Sequence, residues 1–227
     1  MAIQEREFAI NMEKTQRKEK EFQYRRSAIL AEAVKVFAAK GFYNTTVADI
    51  AHASGFAVGS LYQFFESKES LYMTIVAEKM NQMFGQMREA AEKQQDVAGK
   101  VHALVTSNFE FVENNVVFYI LYFRGDAATM SHGSKVLWDQ MMAEHLKPGK
   151  FLEDIISNGM EEHLIKKMDP WYIAFYITGI VRGIIFVWMM TGRDRQLTEQ
   201  VNLVMDILWK GVSEDYEMKG EQTCKRP

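Results

Sequence analysis

The chain has 227 residues, of which 48% are hydrophobic and 25% are charged. These values are typical of a globular protein and exclude a disordered or collagen-like chain. The single cysteine, Cys224, excludes a disulfide framework and a cysteine-based metal cluster, and it favours a reducing compartment such as the cytoplasm. The N-terminal residues contain glutamates and no unbroken apolar run, so we expect neither a signal peptide nor a transit peptide.

Only three prolines occur in the sequence, which leaves few breaks for a strand-rich fold and predicts an all-α chain. Apolar residues at three- and four-residue spacing predict a first helix from about Gln16 to Gly41. A long helix is predicted to start after Ser67 and to end in the polar stretch Glu92 to Asp96. The further predicted helices are Val97 to Glu113, Val116 to Arg124, Ser134 to Leu146, Lys150 to Lys166, Pro170 to Thr191 and Thr198 to Ser213.

Two short helices joined by a glycine turn are predicted between the first and the long helix. Thr46 and Asp49 stand at the spacing of a capping box at the start of the first short helix. Gly55 supplies the positive φ that a tight turn needs, and the second short helix follows from about Val58 to Phe64. This arrangement is a helix-turn-helix, whose second helix can enter the major groove of DNA.

Basic residues are concentrated before the helix-turn-helix. Residues 14–26 carry six basic and two acidic side chains, although the whole chain has a formal net charge of -3. A nucleic acid would therefore meet the N-terminal part of the chain. A solvated helix face without any partner is the alternative interpretation of this run.

The segment from Thr45 to Leu71 resembles the TetR family of bacterial transcriptional regulators. The positions at the family's spacing are Thr45-Thr46, Ile50-Ala51, Ala53-x-Gly55, Gly59-x-Leu61-Tyr62, Phe65 and Ser67-Lys68-Glu69-x-Leu71, with Lys40-Gly41-Phe42 upstream. The rest of the chain resembles the family in helix layout and length. The resemblance implies an N-terminal helix-turn-helix head in residues 1–68, a C-terminal helical ligand-binding and dimerisation body in residues 69–213, and a polar tail in residues 214–227.

The resemblance also implies a ligand-responsive regulator that binds operator DNA as a homodimer and is released by a small effector. It favours a repressor and leaves an activator open. Hydroxyl groups and an ammonium group suit phosphate oxygens. Gly59 has no side chain that would keep the helix away from the phosphate backbone. The candidate DNA contacts are Thr46, Ala57, Val58, Gly59, Ser60, Tyr62, Gln63, Phe64 and Lys68.

The second short helix departs from the family's usual pattern at three positions. Family members usually carry Ser where Ala57 stands, often a polar or basic residue where Val58 stands, and commonly Tyr or His where Phe64 stands. The remaining surface offers no arginine or lysine to guanine, whereas Gln63 can pair with adenine and Val58 can contact a thymine methyl. We therefore expect A·T-rich steps in the half-site; a phosphate contact by Gln63, with specificity from DNA shape, is the alternative.

The predicted helix from Pro170 to Thr191 is apolar almost all round and must be covered on both sides. Together with the helix from Thr198, it suits a four-helix bundle across a two-fold axis, and this predicts a homodimer. A membrane span is the alternative, but Arg182 in the middle of the segment argues against it, so we expect no membrane partner. The candidate interface residues are Gly179, Arg182, Gly183, Phe186, Val204 and Leu208.

Many methionines and aromatic residues in the body suggest an apolar or amphipathic effector, although such stripes are usually plain core. The candidate pocket residues are Met80, Phe84, Met87, Phe109, Tyr119, Tyr122, Phe123, Trp138, Met141, Trp171 and Phe175. The five histidines show no His-x-x-x-His spacing and no phosphate-binding loop is present, so we expect no catalytic residue, no metal, no cofactor and no enzyme. A helical DNA-binding or oligomeric structural protein without an effector is the remaining alternative.

Overall fold

The computed structural model describes residues 2–123 and 149–212, and the all-α prediction is confirmed in these ranges. The predicted helix from Ser134 to Leu146, with Trp138 and Met141, lies outside the described residues. The elements are α1 (Ala2–Lys40), α2 (Val47–Ser54), α3 (Val58–Leu61), α4 (Lys68–Glu92), α5 (Val97–Asn114), α6 (116–123), α7 (149–161), α8 (Pro170–Met190), the 3-10 helix η1 (Leu197–Gln200) and α9 (Val201–Val212).

Three helix boundaries differ from those predicted. Helix α1 begins at Ala2 instead of Gln16, because its first turns contain good helix formers and no glycine or proline, even though they lack an apolar stripe. Helix α3 ends at Leu61 instead of Phe64, since the chain tightens there into turns in which Gln63 and Phe64 donate to carbonyls three residues back. Helix α7 ends at residue 161, and His163 then adopts a left-handed φ of 58°.

One compact unit contains the residues up to Lys79 together with the segment that starts at Val116. Its core holds the ring of Phe37 against Tyr72, edge to face, with 5.5 Å between ring centroids. Each buried apolar side chain of this size contributes about 1.5–3 kcal/mol. The other fully buried residues of the unit include Ile29, Ile50, Leu61, Leu71, Phe118 and Leu121.

A second unit contains Met80–Asn115 and the later part of the chain that includes residues 149–212. Helix α5 is central to it and contacts α8, η1 and α9. The Glu113 carboxylate accepts the backbone N–H groups of Leu197 and Thr198 and so caps η1. The division passes through α4, whereas the sequence analysis placed a domain boundary at Lys68.

Candidate nucleic-acid interface

The start of α2 is fixed by the predicted capping box. The Asp49 backbone N–H donates to Thr46 Oγ1 at 3.1 Å, while the Thr46 N–H and hydroxyl donate to Asp49 Oδ2 at 2.9 and 2.8 Å. Helix α2 ends at Gly55, whose φ of 73° makes the turn towards α3. The capping box and the glycine turn are therefore confirmed, and they hold α2 and α3 in a helix-turn-helix.

The Asp49 carboxylate is also tied to α1. Lys40 Nζ donates to Asp49 Oδ1 at 2.7 Å, and this bond, followed by those from Thr46, holds the pKa of Asp49 well below its usual range. Folding lowers the pKa of the Asp49 carboxyl group, so the ionised carboxylate stabilises the folded protein. This stabilisation is present above the ordinary aspartate pKa and is lost only in strong acid. The carboxylate therefore stays ionised at every pH at which DNA binding would be measured.

Two predicted phosphate-binding groups are used inside the head. The Thr46 hydroxyl belongs to the capping box, and Lys68 Nζ donates to the carbonyls of Phe42 and Thr45 at 2.9 and 3.0 Å. The same ammonium lies 4.4 Å from the centroid of the Phe42 ring. The half-buried ammonium of Lys68 thus has three partners within the protein, at the loop before α2, and its contact with DNA stays a prediction.

The surface of α3 is small, neutral and exposed. Val58 and Tyr62 keep 41% and 54% of their accessible surface, and Ala57, Gly59 and Gln63 are exposed beside them, with Ser60 half-buried. A methyl group placed at Gly59 would meet no atom within 4 Å. Leu61 on the opposite side is fully buried. The helix is thus anchored by one face and presents the other to solvent without a charged group.

Phe64 does not belong to this exposed face. Its ring lies 4.6 Å from the ring of Phe22 on α1 and 6.4 Å from that of Phe65, measured between centroids, and the side chain is half-buried. Phe64 therefore packs against α1, and its contact with DNA stays a prediction. An apolar ring at this position finds its partner on α1, at Phe22, which is 42 positions earlier in the sequence.

Helix α8 divides into a buried and an exposed apolar face. Ile173, Ala174, Ile177, Val181 and Ile185 face the core of their unit, as expected for a helix next to α5 and α9. The exposed large residues are Trp171, Tyr172, Phe175, Tyr176, Phe186, Val187 and Met190. Trp171 and Phe175 stack on this outer face with 5.6 Å between ring centroids, because their four-residue spacing places both away from the core. Their role in an effector pocket stays a prediction.

Helix α9 also has exposed apolar residues. Val204 and Leu208, which we predicted at an interface between protomers, are buried within the chain, and the exposed apolar residues of α9 are Leu203 and Ile207. This corrects the side of α9 but not the presence of an apolar surface. Gly179, Arg182, Gly183 and Phe186 are exposed in the single chain, and their place at an interface stays a prediction.

A groove of about 650 Å³ runs along this surface between α8 and the start of α9. Its lining includes Gly183, Val187, Trp188, Arg195 and Leu203. None of the predicted pocket residues lines it. By length and composition alone, α8 could cross a membrane, and 28% of its most apolar window is buried.

The predicted pocket residues outside α8 lie in both units. Tyr119, Tyr122 and Phe123 form an aromatic cluster on α6 in the first unit. Met80, Phe84, Met87 and Phe109 belong to the second unit, where Phe109 is fully buried in α5. These residues stay candidates for effector contacts.

Sequence reasoning missed one polar group beside these candidates. Asn108 on α5 is 8% exposed, and its Nδ2 lies 3.4 Å from Met83 Sδ and 3.5 Å from Met87 Sδ, which are weak acceptors. Its Oδ1 has no hydrogen-bond partner among the described residues. Since a buried amide oxygen without a partner costs about 1–3 kcal/mol, Asn108 is a candidate to receive a polar group of a ligand.

Comparison with known proteins gives two family matches. Residues 29–74 match the family described as bacterial regulatory proteins, tetR family, and residues 76–211 match the YsiA-like protein, C-terminal region. The chain is 39% identical over 89 residues to the HTH-type transcriptional repressor KstR2 of Rhodococcus jostii (strain RHA1), a match that covers 39% of this chain and 44% of that protein.

Longer matches come from fatty-acid regulators. The chain is 24% identical to the fatty acid metabolism regulator protein of Bacillus subtilis (strain 168), over 81% of this chain and 93% of that protein. The solved structure of the regulator FadR from Bacillus subtilis in complex with stearoyl-CoA superposes with a TM-score of 0.74 at 22% identity, over 82% of this chain and 98% of that one. At this identity the structural likeness establishes the fold.

Proposed function

The chain belongs to the TetR family of bacterial regulatory proteins and is a transcriptional regulator, and from this premise we propose that it is a homodimeric repressor released from operator DNA by an amphipathic effector. The observation that carries the proposal is the exposed, neutral surface of α3, which the capped α2 and the Gly55 turn hold away from the core. Fluorescence anisotropy with the DNA upstream of the protein's own gene tests it, since a repressor of this kind commonly has such a site.

We assign two roles to the predicted DNA contacts. On α3 and at its two ends, Ala57, Val58, Ser60 and Gln63 face base edges. Gly59 lets the helix come close to the phosphate backbone, and the Tyr62 hydroxyl donates a hydrogen bond to a phosphate. Thr46 and Lys68 support this surface from within the head, by capping α2 and by joining α4 to the loop before α2. The division into a head of residues 1–68, a body of residues 69–213 and a tail of residues 214–227 stays a prediction.

Replacing Gln63 with alanine is expected to remove a preference for adenine at one position of each half-site. The reason is that a bidentate glutamine–adenine pair discriminates by about 1–3 kcal/mol, and alanine can make no such pair. Selection of binding sequences from a random pool, with the wild type and the variant side by side, measures the preference.

The matched control is Gln94→Ala, because Gln94 is an exposed glutamine in the turn after α4. This control is expected to leave the selected sequence unchanged. If Gln63→Ala selects the wild-type sequence at every position and only binds more weakly, Gln63 contacts phosphate and the base-reading role is wrong.

For dimerisation we propose the outer face of α8 with its apolar neighbours on α9. Gly179 and Gly183 have open space where a Cβ would stand, so a partner helix can approach them closely. Phe186, Leu203 and Ile207 are about half exposed in the single chain, and a second copy would cover them. A homodimer explains this apolar surface better than a membrane, since Arg182 lies in the middle of α8.

For the effector we propose a long-chain acyl thioester, the class to which the stearoyl-CoA of the FadR complex belongs. On α4, which also carries Met83 and Met87, Phe84 meets Phe151 edge to face at 6.0 Å between ring centroids, and the Arg88 guanidinium lies 5.5 Å from the centroid of the Phe151 ring. Sulfurs and rings suit an acyl chain. The amide groups of a pantetheine arm offer the N–H that Asn108 Oδ1 lacks and a carbonyl better than sulfur for Asn108 Nδ2.

Stearoyl-CoA is expected to weaken operator binding by about 5- to 150-fold, which corresponds to the usual coupling of about 1–3 kcal/mol between two sites. Titration of the protein–DNA complex by anisotropy measures this, with coenzyme A alone and stearate alone as separate arms. A thermal shift without any change in DNA affinity would contradict the switch. An absence of binding would contradict the effector class and leave the DNA-binding proposal intact.

The alternatives to this function predict different results. A helical structural protein without an effector would bind DNA with the same affinity whatever ligand is present. For an enzyme, the described residues offer no group of three His, Cys, Asp or Glu side chains that could hold a metal ion, and the relatives named above are regulators. We therefore propose a non-enzymatic, cytoplasmic protein.

A further inference from the structure

Helix α1 extends well beyond the part that matches the family. The match begins at residue 29, whereas α1 runs without interruption from Ala2 to Lys40. We call residues 2–28 the N-terminal extension. The helix-turn-helix is complete without these residues, so the N-terminal extension needs its own explanation.

The N-terminal extension carries an unbalanced positive charge. Arg25 pairs with Glu21 and Arg26 with Glu78, which leaves a group of basic residues about one to three turns earlier. Lys14, Arg17, Lys18 and Lys20 are exposed, and no carboxylate pairs with them among the residues that the structure describes. Lys14, Arg17 and Lys18 share one side of the helix because they are three and four residues apart.

Packing places this basic group beside α3. Phe22 lies against Phe64, which directly follows Gln63 at the end of the exposed α3 surface, and the Arg26 guanidinium lies 5.7 Å from the Phe65 ring. Along the helix axis Lys18 lies about 6 Å and Lys14 about 12 Å before Phe22. The major groove is about 12 Å wide, so the distances of Lys18 and Lys14 from Phe22 along α1 are comparable with half and with the whole of that width.

We propose that the N-terminal extension binds the phosphate backbone of duplex DNA next to each half-site, outside the base pairs that α3 reads. The inference rests on the proposed function, because it needs α3 in the major groove. A lipid surface fits less well, since an amphipathic helix that binds a membrane needs an exposed apolar stripe. In residues 14–28 the exposed side chains are mostly charged or polar, and Phe22 is engaged with Phe64.

The test replaces Lys14, Arg17 and Lys18 with glutamine, which keeps the helix propensity high. Six phosphate contacts would be lost per dimer, so the slope of log K against log salt should fall by about five and the affinity at about 0.15 M salt by about 100-fold or more. The sequence selected by α3 should not change. Binding of wild type and variant is measured on a duplex that ends at the half-sites and on one extended by ten base pairs at each end.

The wild type is expected to bind the extended duplex more tightly, and the triple variant is expected to lose this difference. The matched control replaces the exposed Lys93, Lys150 and Lys210 with glutamine, which removes the same charge from the other unit. Phe22→Ala, which removes the ring contact between the N-terminal extension and Phe64, should also reduce the advantage of the extended duplex.

Three results would overturn the inference. One is that the triple variant keeps the wild-type salt slope and length dependence; another is that the control variant loses as much affinity as the triple variant. The third is that the wild type binds anionic vesicles through these residues while DNA binding is unaffected. Failure of the wild type to bind any specific duplex would instead contradict the proposed function, so the two failures are distinguishable.

Discussion

Replacing Phe186 with glutamate is expected to convert the protein to a monomer and to weaken operator binding by about 100-fold or more, because a monomer loses the second half-site and with it the gain from bivalent binding. Phe186 keeps 52% of its surface exposed in the single chain. A glutamate there costs the folded protomer less than at a buried position, because about half of the side chain is exposed. In a homodimer the same carboxylate would be buried without a partner, which is strongly unfavourable.

The measurement is the molar mass in solution by light scattering, followed by DNA anisotropy on the same samples. Leu164→Glu is the matched control, because Leu164 is an exposed apolar residue of the same unit outside α8 and α9. It should leave mass and DNA affinity unchanged. A Phe186→Glu protein that remains a dimer with wild-type affinity would exclude the outer face of α8 as the interface.

Val204 provides the contrast to Phe186. Its side chain is fully buried on the inner face of α9, so a substitution there acts on folding instead of association. The sequence could not distinguish these faces. Helix α9 carries two apolar stripes, Val204 with Leu208 and Leu203 with Ile207, and helical periodicity alone does not tell which one meets the chain's own core.

The head was predicted more fully than the body, for local reasons. The capping box of Thr46 and Asp49 and the left-handed Gly55 depend on residues within a few positions of each other, so the sequence contains the whole interaction. The partners of Phe64 and Lys68 are distant in sequence, at Phe22, Phe42 and Thr45. No local pattern indicates such contacts, so the sequence alone could not predict them.

Asn108 was missed for the same kind of reason. It lies among apolar residues of α5, where helical periodicity marks only a buried position. The observation that distinguishes it is the absence of any partner for Oδ1 among the described residues, together with two sulfurs as the contacts of Nδ2. That observation depends on α4 packing against α5 within the second unit.

Replacing Asn108 with leucine is expected to weaken the response to stearoyl-CoA while leaving the unliganded protein as stable as the wild type or more stable. Leucine has a similar volume and fills the site with an apolar group, so the cost of the unpaired amide oxygen, about 1–3 kcal/mol, disappears. The two hydrogen bonds that are lost have sulfur acceptors and are weak. An effector that forms hydrogen bonds with Asn108 would lose the donor Nδ2 and the acceptor Oδ1 in this variant.

Chemical denaturation of the free protein and titration of its DNA complex with stearoyl-CoA measure the two effects separately. Operator affinity without effector should match that of the wild type, and the stearoyl-CoA concentration needed for release should rise by about tenfold or more. Met83→Leu is the matched control, because it removes one sulfur contact and keeps the amide. A purely structural Asn108 predicts the reverse pattern, in which the leucine variant is less stable and responds to stearoyl-CoA at the wild-type concentration.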